Sequence, residues 1–316
     1  MIHDAALARR LSDLFDGARV DTLERLSGGA SRETWLFTIG GEELILQRLR
    51  RGAVTRIDLE LRAITLAALS GVPVPQVVVD GSRSDALERP FLVVRRIRGE
   101  SIARKILRDE PFARARAVLP EQLASAATRI HSTPIGELSE LGHQDQVESM
   151  RALLDALGDP HPAFEIALRW LELHRPIPRS QVLVHGDFRL GNLLVDENGL
   201  TGVLDWELSH LGNPVEDLGW MCVRAWRFGS PLAAGGLCTR EELLSHYNLL
   251  SDAPRVTLEE LRWWEVLGTL KWGLICIMQA QTHLHGLVNS HELAILGRRV
   301  SENEWDVLGL LAGAMA

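Results

Sequence analysis

The chain is 316 residues long, with 46% hydrophobic and 24% charged side chains, the composition of an ordinary globular protein. That length accommodates about two domains, or two lobes sharing one cleft. A formal net charge of −8 argues against a nucleic-acid-binding surface, and no run approaches the roughly 18 apolar residues of a membrane span. The basic residues are lopsided. Of 34 Lys and Arg, only Lys105 and Lys271 are lysines.

The first segment, MIHDAALARRLSDLF, reads as an amphipathic helix carrying Asp4 and Asp13, with Asp16 directly after it, unlike a signal or transit peptide. Strands dominate the next stretch. Residues 21–27 lead into the loop GGASRE; TWLFTI, a Gly40-Gly41 turn and ELILQRL then predict a β-hairpin. Ile57, Leu61, Ile64 and Ala68 have helical spacing within 54–69, and Gly71 and Pro73 stop that helix. PQVVVD and FLVVRRI supply two more strands. From Gly99 onward helices are expected near 112–131, 145–157 and 163–174, interrupted by the strands SQVLVHGD, NLLVD and LTGVLDW. Capping-box starts at Thr239/Glu242, Thr257/Glu260 and Ser301/Glu304 mark the last helices. The pattern is α+β: a small β-rich N-lobe over 1–98 and a larger, mainly helical C-lobe over 99–316. Cys222, Cys238 and Cys276 show no CxxC spacing, which suits reduced core thiols and a cytoplasmic location.

The stretch that carries chemistry is His185-Gly186-Asp187-Phe188-Arg189-Leu190-Gly191-Asn192, followed by Val203-Leu204-Asp205-Trp206-Glu207. A loop between two short strands, with a hairpin returning Asp205 beside it, brings two carboxylates and an amide to one spot. Phosphoryl transfer needs such a set: metal ions to neutralise charge and a carboxylate to orient the attacking hydroxyl. Mg2+ prefers hard oxygen ligands, which suits Asn192 and Asp205 and leaves Asp187 to accept the substrate proton.

HGDFRLGN with a downstream LDWE resembles the catalytic loop and metal-binding Asp of the aminoglycoside phosphotransferase and choline kinase family, which shares the protein-kinase-like fold. The resemblance implies a small-molecule kinase using ATP or GTP, with Asp187 as base, Asn192 and Asp205 holding Mg2+, and His185 ordering the loop. Arg189, within the same motif, is grouped with these catalytic residues. LSGGASRETW resembles the family's glycine loop, where backbone N–H groups from Gly28, Gly29 and Ser31 through Arg32 would cradle phosphates. Glu60 falls where kinases place the Glu that anchors a phosphate-binding side chain. FLVVRRIRGE resembles the hinge, with backbone near Arg96 and Ile97 reading the purine, and Asp217 in NPVEDLGW is expected to brace the catalytic loop. The last third, WWEVLGTLKWG and HELAILGRRVSENEWDVL, is similar to phosphotransferase domains found with acyl-CoA dehydrogenases. That similarity implies a hydroxy-acyl or hydroxy-acid acceptor.

One departure stands out. Kinases place a Lys on the third strand against the phosphates, yet no Lys precedes Lys105. Gln47 or Arg48 takes that place, and strand alternation allows only one of them into the cleft. The alternative reading is therefore a nucleotide- or ligand-binding module with little transfer activity. Trp220, Trp226, Trp263, Trp264 and Trp272 are core residues or an aromatic wall of the acceptor pocket. The expected partners are a nucleotide and a small hydroxylated acceptor, with a homodimer left open.

Overall fold

The computed structural model describes residues 4–27, 32–52 and 55–313. The first helix, α1 (Ala5–Leu14), starts where the Asp4 carboxylate accepts the N–H groups of Ala6 and Leu7 at 3.1 and 2.9 Å. Five antiparallel strands follow: β1 (Val20–Ser27), β2 (Arg32–Ile39), β3 (Glu42–Leu49), then, after helix α2 (Ile57–Leu69), β4 (Val77–Gly81) and β5 (Phe91–Arg95). Their order in the sheet is β1-β2-β3-β5-β4. Gly40 and Gly41 both have positive φ (58° and 80°), the conformation a two-residue hairpin turn demands. That turn sets Ile39 opposite Glu42 and therefore Thr34 opposite Gln47 and Arg32 opposite Leu49. The register sorts the side chains. Trp35, Phe37, Leu44 and Leu46 pack with Leu7 and Leu11 of α1, while Leu49 and Leu92 pack with Ile57, Leu61 and Ile64 of α2.

After β5 the chain crosses to the second part of the molecule. Glu100 exchanges backbone hydrogen bonds with Val195 at 2.8 and 3.0 Å. A Cβ on Gly99 would stand 2.9 Å from Thr201 Oγ1 and 3.0 Å from Leu194 Cβ, so the crossing fits only glycine comfortably. Beyond it lie α3 (Ala103–Arg108), α4 (Ala113–His131), α5 (Gln146–Leu157) and α6 (Pro162–Leu173). Then come the short strands β6 (Val182–Val184), β7 (Leu193–Asp196), β8 (Gly199–Val203) and β9 (His210–Gly212). Helices α7 (Val215–Cys222), α8 (Arg240–Leu250), α9 (Leu258–Leu284), α10 (His291–Leu296) and α11 (Val300–Leu311) complete it. β7 and β8 form a hairpin, and β6 pairs with β9. This is the two-lobe α+β arrangement expected from the sequence. Among the described residues no helix is long and apolar enough to cross a membrane.

The 27-residue α9 is the spine of the helical part. Its Glu265, 1% exposed, is answered by Arg227 at 2.8 Å and by Arg240 at 2.7 and 2.8 Å, so the buried charge is fully paired. Some boundaries differ from the sequence reading. Thr239 and Glu242 form the full capping box, and Thr257 caps α9 by accepting from the Glu260 N–H. Ser301 caps nothing, because α11 begins at Val300, directly continuing a single 3-10 turn over Gly297–Arg299. β9 was not anticipated, since three residues are too few to show a period.

Gly219 of α7 lies against α9, where an added Cβ would fall 2.5 Å from Trp264 Cβ and 2.7 Å from its carbonyl carbon. Gly219→Ala should therefore push two helices apart and cost about 1–3 kcal/mol. A Gly136→Ala control, with nothing within 4 Å of the new methyl, should leave the denaturation midpoint nearly unchanged. Equal midpoints for the two variants would show that the α7–α9 crossing is looser than these distances require.

Candidate active site

The loop between β6 and β7 is shaped by a carboxylate that lies outside it. Asp217, fully buried in the first turn of α7, accepts the backbone N–H groups of His185 and Gly186, both at 2.9 Å. It also accepts from His131 Nε2 at 3.1 Å, and His131 Nδ1 meets the Tyr247 hydroxyl at 2.8 Å. Burial alone would push the Asp217 pKa up, but the His131 hydrogen bond and charge, aided by His185, hold it below its ordinary value. Gly186 turns with φ +83° and passes so close to Leu208 that a Cβ would meet its carbonyl oxygen at 2.4 Å. Only glycine makes this turn.

His185 is buried, and burial pushes its pKa down, so the ring is neutral. Its Nε2 lies 3.0 Å from Leu204 O, which can only accept, so Nε2 carries the proton and Nδ1 receives the Asp187 N–H at 3.2 Å. The ring thereby ties the loop to the end of β8. Asp187 follows with its carboxylate held on three sides: Oδ1 accepts from Trp220 Nε1 at 2.7 Å and Arg189 Nε at 2.9 Å, and Oδ2 accepts from Asn192 Nδ2 at 2.6 Å. Asn192 also gives Nδ2 to Asp187 O at 3.0 Å, which leaves its Oδ1 as an acceptor.

Asp205 stands beside this group because Leu204 N–H donates to Asn192 O at 2.8 Å, just past the β7–β8 pairing. Its φ of +63° is strained for a residue with a side chain, the kind of departure that clusters at functional sites. The carboxylate opens to solvent in the cleft, yet loss of hydration against the cleft walls, then the charges of Glu207 and Asp187, push its pKa up to about 6. Excess negative charge among oxygen donors is chemistry that a hard divalent cation relieves.

The nucleotide-side expectations divide. Gly28, Gly29 and Ser31 lie outside the described residues. Glu60 is 3% exposed and pairs with the Arg32 side chain, Nη1 to Oε1 at 2.8 Å and Nη2 to Oε2. Gln47 faces the same group, its Oε1 3.4 Å from Arg32 Nη1. Arg48 does not: the pleat turns it to the opposite face, onto Glu33 at 2.7 Å and toward Leu87 O at 3.5 Å. The expectation that it replaces the lysine fails on strand parity. Arg96 has its N–H committed to Glu43 O at 3.1 Å and its guanidinium to the Glu43 carboxylate at 2.8 Å, so neither is available to a purine. Ile97 reaches over β8, with Cδ1 3.0 Å from where a Gly202 Cβ would stand.

Two participants escaped the sequence reading. Trp220 was recognised only as core or pocket wall, although its indole N–H anchors Asp187; the signal available was its place three residues after the bracing Asp217. Arg32 was credited with a backbone N–H, whereas its side chain holds Glu60. Beyond Asp187, Arg189 stacks on Trp226 at 4.6 Å, and Trp226 packs against Trp220 and Trp272 with centroids 5.3 and 4.7 Å apart. A cavity of about 820 Å³ opens along the Arg224–Arg227 turn that carries Trp226, lined also by Ser230, Arg299 and Trp305.

Comparison with known proteins bears on the family and the fold. Acyl-CoA dehydrogenase family member 10 of Mus musculus is 29% identical over 252 residues, covering 72% of this chain. The aligned part is 24% of that protein, so the chain spans about a quarter of the length of this curated relative. The solved GDP and kanamycin complex of an aminoglycoside phosphotransferase matches with a TM-score of 0.71 at 16% identity, over 96% of this chain and 99% of that one. Choline kinase from Streptococcus pneumoniae matches with a TM-score of 0.64 at 17% identity, over 95% and 98%. These structures establish the kinase-like fold. The model of the phosphotransferase enzyme family matches residues 22–247, from β1 into α8 and across the whole catalytic loop and hairpin. This chain, with its kinase-like fold, belongs to the phosphotransferase enzyme family.

Proposed function

We propose that this protein is a small-molecule kinase that moves the γ-phosphoryl group of ATP or GTP onto a hydroxyl, with Asp187 as the base. The observation that carries the reading is the fixed Asp187 carboxylate, beside Asn192 and Asp205 at the end of one hairpin. An ionised carboxylate has about four lone-pair sites. Trp220, Arg189 and Asn192 occupy three of these on Asp187, which leaves one for the hydroxyl of the acceptor. Asp187 orients that hydroxyl for in-line attack and takes its proton as the new O–P bond forms.

Asn192 and Asp205 are the residues that would hold Mg2+. When bound, the ion neutralises phosphate oxygens and steadies the leaving group. Among the described residues no three His, Cys, Asp or Glu side chains form a ready-made cage. Mg2+ commonly takes one or two protein ligands and completes its shell with phosphate and water, so this sparse oxygen set fits it. The raised pKa of Asp205 fits too, since a cation there offsets the repulsion among Asp205, Glu207 and Asp187.

On the acceptor side, Arg189, Trp226 and Trp272 form a wall that begins at Asp187. The indole N–H groups of Trp226 and Trp272 are buried without acceptors among the described residues. A cation stacked on an aromatic ring next to the attacking hydroxyl suits an acceptor that carries an acyl or carboxylate group. The mouse relative's name, acyl-CoA dehydrogenase family member, points the same way toward a hydroxy-acyl or hydroxy-acid compound. The three cysteines are buried, and burial pushes Cys238 and Cys276 up to about 12 and Cys222 upward as well, so they are inert thiols. A cytoplasmic setting, where nucleotide, Mg2+ and reduced thiols coexist, completes the reading.

Two measurements test it. Asp187→Asn should lower kcat by about 10²–10⁴-fold with the KM for Mg·ATP nearly unchanged, whereas Asp205→Asn should abolish the Mg2+ dependence of nucleotide binding in calorimetry. Wild-type behaviour from both variants would remove the site assignment. Trp220→Phe keeps the aromatic packing and deletes one hydrogen bond to a charged group, so kcat should fall about tenfold or somewhat more. An unchanged kcat would mean that Arg189 and Asn192 alone position Asp187.

A further inference from the structure

The third strand of the sheet presents a neutral side chain to the cleft. Gln47 lies on the face where the Arg32 guanidinium meets Glu60, and the neighbouring cation Arg48 is locked on the other side by Glu33. A positive charge nevertheless reaches Glu60. It comes from β2, where Arg32 lies diagonally across from Gln47, one strand over and two residues along the same face. The Arg32 guanidinium grips Glu60 with both Nη atoms, sits 3.4 Å from Gln47 Oε1, and makes a looser contact with Glu207 Oε2 at 3.5 Å. Glu207 is two residues past Asp205, so Arg32 spans the space between α2 and the segment that carries the metal ligand.

Two features mark this side chain as more than a structural ion pair. Arg32 is 6% exposed, and its Nε–H finds no acceptor among the described residues, an uncommon state for a buried donor. Three carboxylates, those of Glu60, Glu207 and Asp205, act on the one guanidinium and raise its pKa against the effect of burial, so it stays charged. Arg32 also follows directly on the GGAS segment that resembles a phosphate-cradling loop. A cation at this point, clamped from one edge by Glu60 and loosely held at the other, has donor capacity left for an anion.

We infer that Arg32 replaces the strand-three lysine: it is anchored by Glu60 and presents its guanidinium to the phosphates of the bound nucleotide, with Gln47 steadying it from β3. This rests on the kinase reading given above. The cation has moved from one strand to its neighbour without leaving the cleft face. The pairing with the helix glutamate survives the move, and the Nε–H, which has no acceptor among the described residues, is the donor left for a phosphate oxygen. The loss of the lysine is therefore a relocation of charge, not a loss of it.

The experiment measures Mg·ADP binding by calorimetry and steady-state KM and kcat for Mg·ATP in the full chain. Arg32→Gln should weaken Mg·ADP and raise the KM for Mg·ATP by about ten- to a hundredfold, the scale of a lost charge-assisted hydrogen bond. Adenosine affinity should not change, since it has no phosphate. Adding Gln47→Lys to Arg32→Gln returns a cation to strand three within reach of Glu60, and should recover most of the lost affinity. Arg48→Gln, on the opposite face, should leave nucleotide binding as in wild type. Equal Mg·ADP affinity in wild type and Arg32→Gln would overturn the role of Arg32 and leave the kinase reading standing. So would a loss in Arg32→Gln that Gln47→Lys fails to recover while a lower melting temperature shows a purely structural defect. A wild-type protein that binds neither Mg·ATP nor Mg·GTP would sink the kinase reading itself.

Discussion

Asp217 has no contact with solvent, and a carboxylate in that position is tolerated only if every lone pair facing the protein is used. It is used on the backbone of the catalytic loop. By accepting the N–H groups of His185 and Gly186, Asp217 dictates where the chain turns, and the glycine turn against Leu208 follows from it. The His131–Tyr247 pair behind it is drawn from α4 and α8, so two helices contribute to holding one loop. His185 then transmits the position sideways to Leu204, and so to Asp205. The two carboxylates proposed to act on hydroxyl and metal are thus both referenced to a third that touches neither. Pre-organisation of this sort lets a loop, rather than a strand or helix, hold reacting groups to a narrow tolerance.

A second constraint is the parity of one hairpin. With a two-residue Gly40-Gly41 turn, residues whose numbers sum to 81 face each other, and every second residue shares a face. Sequence alone therefore contained the answer to whether Gln47 or Arg48 enters the cleft, once Glu60 was taken as the reference. It also contained the placement of Arg32, which belongs to the same face as Gln47 by simple counting. The place of Arg32 after a glycine-rich segment points first to its backbone N–H, while the register sets its side chain on the face of Gln47. By contrast, the loop from His185 to Asn192 and the segment ending in Asp205 stand out in the sequence as residue types suited to phosphoryl transfer, and the fold brings them together at the end of one hairpin.

What stayed hidden was set by long-range packing. Trp220 reaches Asp187 from 33 positions away, and its place three residues after Asp217, one turn along the same face of α7, is the one local sign that it meets the same loop. Arg96 belongs by motif to the hinge, yet Glu43 on β3 pairs with it and with Arg98, while the adjacent Glu42 pairs with Arg95. A cluster of arginines reads as a phosphate-steering surface only until its counter-charges are placed. Helix starts were read correctly where side-chain capping is local, at Thr239 and Thr257. The Ser301 start was misplaced because α11 grows out of a preceding turn and needs no cap.

The scarcity of lysine, an oddity of composition at first, becomes physically coherent in the packed molecule. Buried Glu216 is met by His210 and Lys271, but three other carboxylates are held by forked pairs: Glu60 by Arg32, the half-buried Glu260 by Arg179, and Glu265 by Arg240. Each pair needs two or more donors in a fixed plane, and a guanidinium provides them with less hydration to lose than an ammonium. A chain that meets buried carboxylates this way gains little from a lysine in its cleft, where burial would lower the ammonium's pKa and put its charge at risk. An arginine is longer and broader than a lysine, and on β3 at Gln47 it would compete for the space that the Arg32 guanidinium fills beside Gln47. From β2, the diagonal distance across the strands gives the longer side chain the reach it needs. The absent lysine and the two-strand answer to Glu60 are then the same fact, seen once in composition and once in geometry.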